Sequence, residues 1–85
     1  MFVTYVIYSR ELNRYYTGNS NDLERRLKEH NSGRNSATRG GFPWEIVFSE
    51  QFQSREEAVQ LEFQIKKRGA RRFLQDRGVV MPTAS

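Results

Sequence analysis

The chain has 85 residues, a formal net charge of +4 and no cysteine. Independent domains usually need roughly 50–200 residues, so this length accommodates a single domain. The lack of cysteine excludes disulfides, iron–sulfur clusters and thiol nucleophiles, and with a single histidine it also excludes a structural zinc site of the Cys/His type. No apolar run reaches the ~18 residues of a membrane span, and residues 1–5 lack the basic start of a secretory signal. We therefore expect a cytoplasmic protein that does not enter a membrane.

The positive charge is concentrated near the C-terminus. Residues 65–85 carry six basic side chains against one acidic, a net of +5, whereas residues 1–64 carry eight against nine, a net of −1. Of the 14 basic residues 11 are arginine, whose planar guanidinium binds phosphate through two hydrogen bonds. This asymmetry favours a polyanionic partner such as nucleic acid. A solvated helix face that only keeps the protein soluble would have the same composition.

The first half of the chain predicts a hairpin and a helix. Residues 2–9 are rich in Val, Ile, Tyr and Phe and predict a strand, and residues 15–17 predict a short return strand that ends at Gly18. Asn21 and Glu24 have the spacing of a capping box, so a helix is expected over residues 22–31. Residues 33–43 contain three glycines and a proline and predict a loop.

The second half predicts a strand and two helices. Residues 44–48 form the strand pattern, which continues towards Phe52. Ser54 and Glu57 form a second capping box, which opens a helix over residues 55–67, and Gly69 separates it from a short basic helix over residues 70–75. The uncharged residues 79–85 are expected to fray, which leaves one domain over residues 1–78. The element order is ββαβαα, an α/β (α+β) class.

Two residues of the first helix have an unusual position on the helical wheel. Leu23 and Leu27 define the apolar side, and Arg26 and His30 lie together at its edge. Both therefore point towards whatever this helix packs on. One interpretation is that Arg26 covers the rim of the core and His30 is a hydrogen-bonded boundary residue. The alternative is a functional role for both.

Glu62 is the stronger anomaly, because it lies within the apolar arc of the second long helix. In projection it falls between Ala58 and Val59, and Leu61, Ile65 and Phe63 extend the arc. Burying an unpaired carboxylate is costly, so such a residue needs a partner or a metal ion. Either Glu62 pairs with a core-facing arginine, for which Arg26 is the obvious candidate, or it is a cation ligand or catalytic carboxylate.

These residues resemble the GIY-YIG nuclease superfamily, which includes the N-terminal nuclease of the excinuclease C subunit and several homing endonucleases. The two naming motifs correspond to Val3-Thr4-Tyr5 and Tyr16-Thr17-Gly18, with the tyrosines eleven residues apart. The segment 21–31 is similar to the family's helix with a catalytic arginine and a histidine four residues later, and 61–66 is similar to the segment with the metal-binding glutamate. The resemblance covers residues 2–75. Val3, Thr4 and Thr17 depart from the motifs, but both tyrosines and the second glycine are kept.

The resemblance implies a three-stranded, largely antiparallel sheet flanked by helices, and a one-metal phosphodiesterase site. Glu62 would bind Mg²⁺ or Mn²⁺, and Arg26 would neutralise charge on the phosphate. Tyr5, with Tyr16, would orient or deprotonate the attacking water, and His30 would relay the proton. The residues leave open which of Tyr5, Tyr16 and His30 is the base.

We therefore expect a divalent-metal-dependent endonuclease acting on DNA, with a place in repair or recombination by analogy and recruitment by a protein partner as an option. The alternatives are a non-catalytic nucleic-acid-binding module, which uses the basic C-terminal helices, and a small protein-interaction domain. A binding module has no need of a carboxylate beside the phosphate, which favours the enzyme. The side chains expected to contact nucleic acid are basic and are Arg34, Arg39, Lys66, Lys67, Arg68, Arg71 and Arg72.

Overall fold

The computed structural model describes residues 1–79. Its elements are β1 (Phe2–Ser9), β2 (Arg14–Ser20), α1 (Leu23–Asn31), β3 (Trp44–Phe52), α2 (Arg55–Arg68) and α3 (Ala70–Asp76). The predicted order ββαβαα is confirmed. The tail predicted at residues 79–85 lies, apart from Val79, outside the described residues. Between residues 1 and 79 no helix is both long enough and apolar enough to cross a membrane.

The three strands form one antiparallel sheet in the order β2-β1-β3, so β1 is the central strand. The register between β1 and β2 places Tyr5 opposite Gly18 and Ile7 opposite Tyr16. Side chains alternate between the two faces of a strand, so these four residues belong to one face. Thr4, whose partner is Asn19, faces the other side.

Each face of the sheet has its own apolar cluster. On one face Tyr5, Ile7 and Trp44 are buried against Leu23 and Leu27 of α1. On the other face Val6 packs with side chains of α2 and α3, namely Leu61, Ile65, Phe73 and Leu74. Strand β1 is therefore covered on both sides, and residues 4–9 are all buried.

Of the two predicted helix caps, one is confirmed and the other is displaced by one residue. The capping box of Ser54 and Glu57 is present at the start of α2, as predicted. The cap predicted at Asn21 is wrong by one residue: Asp22 is the N-cap of α1, and its carboxylate accepts a hydrogen bond from the Arg25 amide at 3.1 Å. Asn and Asp can both cap a helix. With Asp22 as the cap, α1 begins at Leu23, and Leu23 and Leu27 pack against the core.

The apolar arc predicted for α2 is narrower than expected. Ala58, Leu61 and Ile65 are buried, but Val59 and Phe63 are 44% and 67% exposed. The sheet covers one side of α2, and these two side chains lie four residues apart on the solvent side.

The segment between α1 and β3 returns to the sheet although its composition indicated only a loop. Its central residue Thr38 is completely buried. The carbonyl oxygen of Thr38 accepts a hydrogen bond from the Trp44 indole at 2.9 Å, and the Trp44 amide donates to the Asn31 side chain at 2.7 Å. These contacts hold the loop against the end of α1.

Candidate active site

Two tyrosines meet over a glycine on the face of the sheet that α1 covers. The ring centroids of Tyr5 and Tyr16 are 6.5 Å apart. A Cβ atom added at Gly18 would lie 2.8 Å from the Tyr5 hydroxyl oxygen and 3.2 Å from Cε1 of Tyr16. Both distances are shorter than normal contacts, so only glycine at position 18 lets the two rings occupy this space. The register of β1 and β2 therefore places the two motif tyrosines next to each other.

His30 connects these tyrosines to the loop after α1. The Tyr5 hydroxyl and His30 Nε2 are 2.9 Å apart, and the ring of Tyr16 lies 4.8 Å from the imidazole ring. On the other side, His30 Nδ1 is 2.9 Å from Oγ1 of Thr38, whose hydroxyl donates to the Asn35 carbonyl at 3.4 Å. A His30 ring protonated at Nδ1 would donate to Thr38, and its Nε2 would then accept the proton of Tyr5.

Burial keeps both members of this pair uncharged. Removal from water raises the pKa of Tyr5 to about 12, against an opposing effect of the Arg26 guanidinium. Burial also lowers the pKa of His30, and the positive charge of Arg26 acts in the same direction. At neutral pH the pair is therefore a neutral phenol hydrogen-bonded to a neutral imidazole.

Arg26 lies at the edge of the tyrosine pair and is fixed by Glu29. Its Nη1 is 2.8 Å from the carboxylate of Glu29, which also accepts from Arg25 at 2.9 Å. The hydrogen bond with Glu29 raises the pKa of Arg26, so the guanidinium stays charged. The pairing of Arg26 with Glu62, which the sequence left open, is wrong, since Glu62 has other partners.

The carboxylate of Glu62 is held from two sides. One oxygen accepts a hydrogen bond from the side-chain amide of Asn19 on β2, and the other is 2.8 Å from the ammonium of Lys66. The Glu62 side chain is 18% exposed, so it lies at the boundary between the interior and solvent. The two contacts explain how a carboxylate is tolerated beside the apolar part of α2.

Glu62 and the tyrosines lie on opposite faces of the sheet. Thr4, next to Tyr5 on β1, donates a hydrogen bond of 2.7 Å to the Ala58 carbonyl, one turn before Glu62. The negative charge of Glu62 contributes to the raised pKa of Tyr5, so the two groups are within electrostatic range. Asn19, the partner of Glu62, lines a cavity of about 300 Å³ together with Arg26. Tyr5, Tyr16 and His30 thus contact one another, and Arg26 lies beside Tyr5. Glu62 lies on the other face of the sheet and reaches β2 through Asn19.

The basic side chains expected to contact nucleic acid separate into groups. Lys66 and Arg71 line an open cleft of about 510 Å³ along β2, beside Tyr16. Arg71 also lies over the ring of Tyr15, at 5.5 Å from its centroid. Arg68 makes two hydrogen bonds to Asp76, at 2.9 and 3.1 Å, and its charge is largely compensated.

The other predicted basic residues are exposed but lie elsewhere. Lys67 lines a different cleft with Val59 and Phe63 on the solvent side of α2. Arg34 and Arg39 are exposed on the loop after α1, where Arg39 donates to the Gly33 carbonyl at 3.1 Å. Arg72 is exposed on α3. The basic residues do not form one continuous patch.

Two residues of the site were not found from the sequence. Asn19, which contacts Glu62, follows the predicted return strand and was assigned only to the segment that caps the next helix, and Thr38 falls in the predicted loop of residues 33–43. The only sequence signal for Asn19 is its position directly after the second motif, in the strand that contains Tyr16. No sequence signal identified Thr38, because its contact with His30 depends on how the loop folds back.

The chain's donor set is compatible with a hydrated divalent ion. Within residues 1–79 there is no group of three or more His, Cys, Asp or Glu side chains that could enclose a metal. Mg²⁺ is commonly bound through one or two carboxylates, with waters and substrate phosphate in the other positions. Glu62 would supply such a carboxylate, and the polar side chain of Asn19 contacts it.

The GIY-YIG catalytic domain, as a family model, matches residues 1–74. The chain belongs to this family. GIY-YIG domains are nuclease domains, which implies a nucleic-acid substrate and, in general, a divalent metal.

Relatives of this GIY-YIG domain are small proteins of the UPF0213 group. UPF0213 protein YazA of Bacillus subtilis is 39% identical over 64 residues, which are 74% of this chain and 64% of that protein. The solution NMR structure of UPF0213 protein BH0048 from Bacillus halodurans has a TM-score of 0.56 and 32% identity, over 92% of this chain and 84% of that one. In the sequence comparison, the chain covers 56% of the length of BH0048.

The environment of His30 predicts how it titrates. It is the only histidine, so its ring resonances are unambiguous in a proton NMR titration. We expect its pKa to lie below 6.5, because burial disfavours the charged ring. The folded state then binds fewer protons than the unfolded state just below pH 6.5, so stability decreases as the pH falls from 6.5 through the folded pKa. A measured pKa at or above 6.5 would contradict the neutral hydrogen-bonded ring.

The contact at Gly18 predicts an energetic coupling with Tyr5. Gly18→Ala should destabilise the domain by about 1–3 kcal/mol, since the added methyl group has to displace a packed ring. In a Tyr5→Phe background the nearest atom, the hydroxyl oxygen, is absent, and the same substitution should cost at least about 0.5 kcal/mol less. Urea unfolding of the four proteins measures the cycle, and additive costs would show that the rings do not meet at this glycine.

Proposed function

We propose that this chain is a divalent-metal-dependent endonuclease that hydrolyses phosphodiester bonds of DNA. The observation that carries the proposal is the Tyr5–His30 hydrogen bond beside the charged Arg26, with Glu62 held against β2 from the other face of the sheet by Asn19. Phosphodiester hydrolysis requires an activated water, neutralisation of charge on the phosphate and stabilisation of the leaving oxygen. These side chains are of the types that meet those requirements.

The Tyr5–His30 pair supports a defined path for the proton. A phenol with a pKa of about 12 is protonated at neutral pH, so Tyr5 acts first by orienting the attacking water. As the water oxygen forms its bond to phosphorus and the bond from phosphorus to the leaving oxygen breaks, Tyr5 takes the water proton and in the same step passes its own proton to His30 Nε2, 2.9 Å away. The imidazole then carries the positive charge, and the leaving oxygen departs as an anion. This transfer needs the His30 tautomer that is protonated at Nδ1 and donates to Thr38.

Arg26, and a metal ion held by Glu62, would both offset the negative charge of the phosphate. Glu29 holds the guanidinium of Arg26 in position, and a fixed cation at that point would stabilise negative charge that develops on the phosphate oxygens. Glu62, with Asn19 beside it, would hold Mg²⁺ or Mn²⁺. Such an ion, when bound, supplies a Lewis acid for the phosphate and the departing oxygen.

The cleft along β2 supports a backbone path for the nucleic acid. Lys66 and Arg71 would contact phosphates there, next to Tyr16. The domain offers little further surface for reading base edges, so we propose cleavage with weak sequence preference.

The decisive experiment is cleavage of supercoiled plasmid and of branched oligonucleotides by wild type and Glu62→Gln, with and without Mg²⁺ or Mn²⁺. We expect metal-dependent nicking by wild type and a loss of at least about 100-fold in Glu62→Gln, which is isosteric but loses the charge. Glu56→Gln is the matched control, because Glu56 is an exposed carboxylate of the same helix. It should retain wild-type activity, and circular dichroism should show that all three proteins are folded.

Two results would change this assignment. If folded wild type binds DNA but does not cut it with either metal, and Glu62→Gln binds equally well, the chain is a binding module and Glu62 serves only as an ion-pair partner. If Glu56→Gln and Glu62→Gln lose activity equally, the effect of Glu62 is not specific to the site.

The separation of the basic residues predicts different contributions to DNA binding. Arg71→Ala should weaken binding to DNA and lower the slope of log K against log salt by about one unit, because one phosphate contact is lost. Lys67→Ala removes the same charge on the other side of α2 and should leave the slope nearly unchanged. Fluorescence anisotropy from 50 to 200 mM salt measures both. Equal slopes for the two variants would place the nucleic acid elsewhere.

A further inference from the structure

We propose that Lys66 is a resident counter-ion of Glu62 that a divalent metal displaces, and that the released ammonium then contacts phosphate in the cleft along β2. Lys66 would thereby couple metal binding to nucleic-acid binding. The inference rests on the proposed function, in which Glu62 is the metal ligand. It assigns to Lys66 a positioning and regulatory role, not a part in the chemical step.

The contacts of Glu62 identify Lys66 as the group that has to move. Both carboxylate oxygens have a protein partner, Asn19 on one and Lys66 on the other. Asn19 is uncharged and lies on a strand, so it can stay while a metal binds. The ammonium of Lys66 is a cation 2.8 Å from Oε2, and a second cation cannot approach that oxygen without strong repulsion.

The ion pair is of a kind that exchanges readily. The Lys66 side chain is 57% exposed and makes one contact to the carboxylate at i,i+4 spacing, and such exposed pairs are weak. The same part of the chain also contains a firmer pair, in which Arg68 makes two hydrogen bonds to Asp76. A lysine at position 66 is a compact, hydrated charge on a flexible stem, which suits release better than a guanidinium fork does.

The released side chain has a destination that needs no movement of the backbone. Lys66 already lines the cleft of about 510 Å³ together with Tyr16 and Arg71. The Glu62–Lys66 pair is formally neutral before metal arrives. With a divalent ion on Glu62 and Lys66 free, the same residues present a net double positive charge to a phosphate. Metal binding would thus switch this edge of the domain from neutral to strongly attractive for nucleic acid.

The first test measures metal affinity without any nucleic acid or turnover. Mn²⁺ binding is followed by the loss of the free-ion EPR signal in wild type, Lys66→Gln, Lys66→Arg and Lys67→Gln. We expect Lys66→Gln to bind Mn²⁺ about threefold or more tightly than wild type, because the competing cation is gone. Lys66→Arg should bind it more weakly. Lys67→Gln, which has the same net charge as Lys66→Gln, should stay within about twofold of wild type.

The second test concerns the released ammonium. The affinity for a phosphorothioate duplex that resists cleavage is measured with and without Mn²⁺. The gain in affinity on adding Mn²⁺ should be larger in wild type than in Lys66→Gln, and Lys67→Gln should show the wild-type gain. Equal gains in wild type and Lys66→Gln would overturn the coupling.

The outcomes separate this inference from the function on which it rests. If Lys66→Gln and Lys67→Gln bind Mn²⁺ with equal affinity, Lys66 is not displaced and the inference is wrong, whatever the cleavage assay shows. If Glu62→Gln binds Mn²⁺ as tightly as wild type does, Glu62 is not the metal ligand, and the proposed function fails together with the inference.

Discussion

The burial of β1 on both faces is the constraint on which the rest of this structure depends. Every residue from Thr4 to Ser9 is buried, with α1 on one side and α2 and α3 on the other. Successive side chains of a strand point to opposite faces, so neighbouring residues of β1 contact different helices. Tyr5 therefore lies against α1, where it meets His30, while its neighbour Thr4 holds the Ala58 carbonyl of α2. Two adjacent residues of one strand thus fix the relative positions of the helices that carry His30 and Glu62.

The candidate site is assembled across an edge of the sheet, and β2 makes this possible because it has little side-chain volume at the critical point. Gly18 leaves room for both tyrosine rings on one face, and Asn19, the next residue, points to the other face and contacts Glu62. Consecutive residues of β2 therefore serve opposite sides of the same site. The electrostatic setting follows from this geometry. The phenol and imidazole are buried and neutral, whereas the carboxylate and the guanidinium lie nearer to solvent and have charged partners.

Much of the fold was predictable because its signals are local. The first strand has the predicted bounds of residues 2–9, and the Ser54 capping box begins α2 as expected. Strand β2 extends beyond the predicted 15–17, because pairing with β1 recruits flanking residues that have no strand propensity of their own. The helical wheel correctly gave Arg26 and His30 an interior-facing edge. It assigned Val59 and Phe63 to the core, although a single sheet covers only part of the helix circumference.

The sequence by itself determined which residues are the candidates for the chemistry. The tyrosine spacing, the position of His30 four residues after Arg26, and a carboxylate in an apolar arc are all properties of the linear pattern and the helical period. Only the tertiary structure decided the partners of these residues. Glu62 contacts Asn19 and Lys66 instead of Arg26, and Thr38 reaches His30 from a loop that has no regular pattern. Partner choice depends on strand register, on which side of a helix faces the sheet and on the path of a loop, and these are set by contacts between residues far apart in the chain.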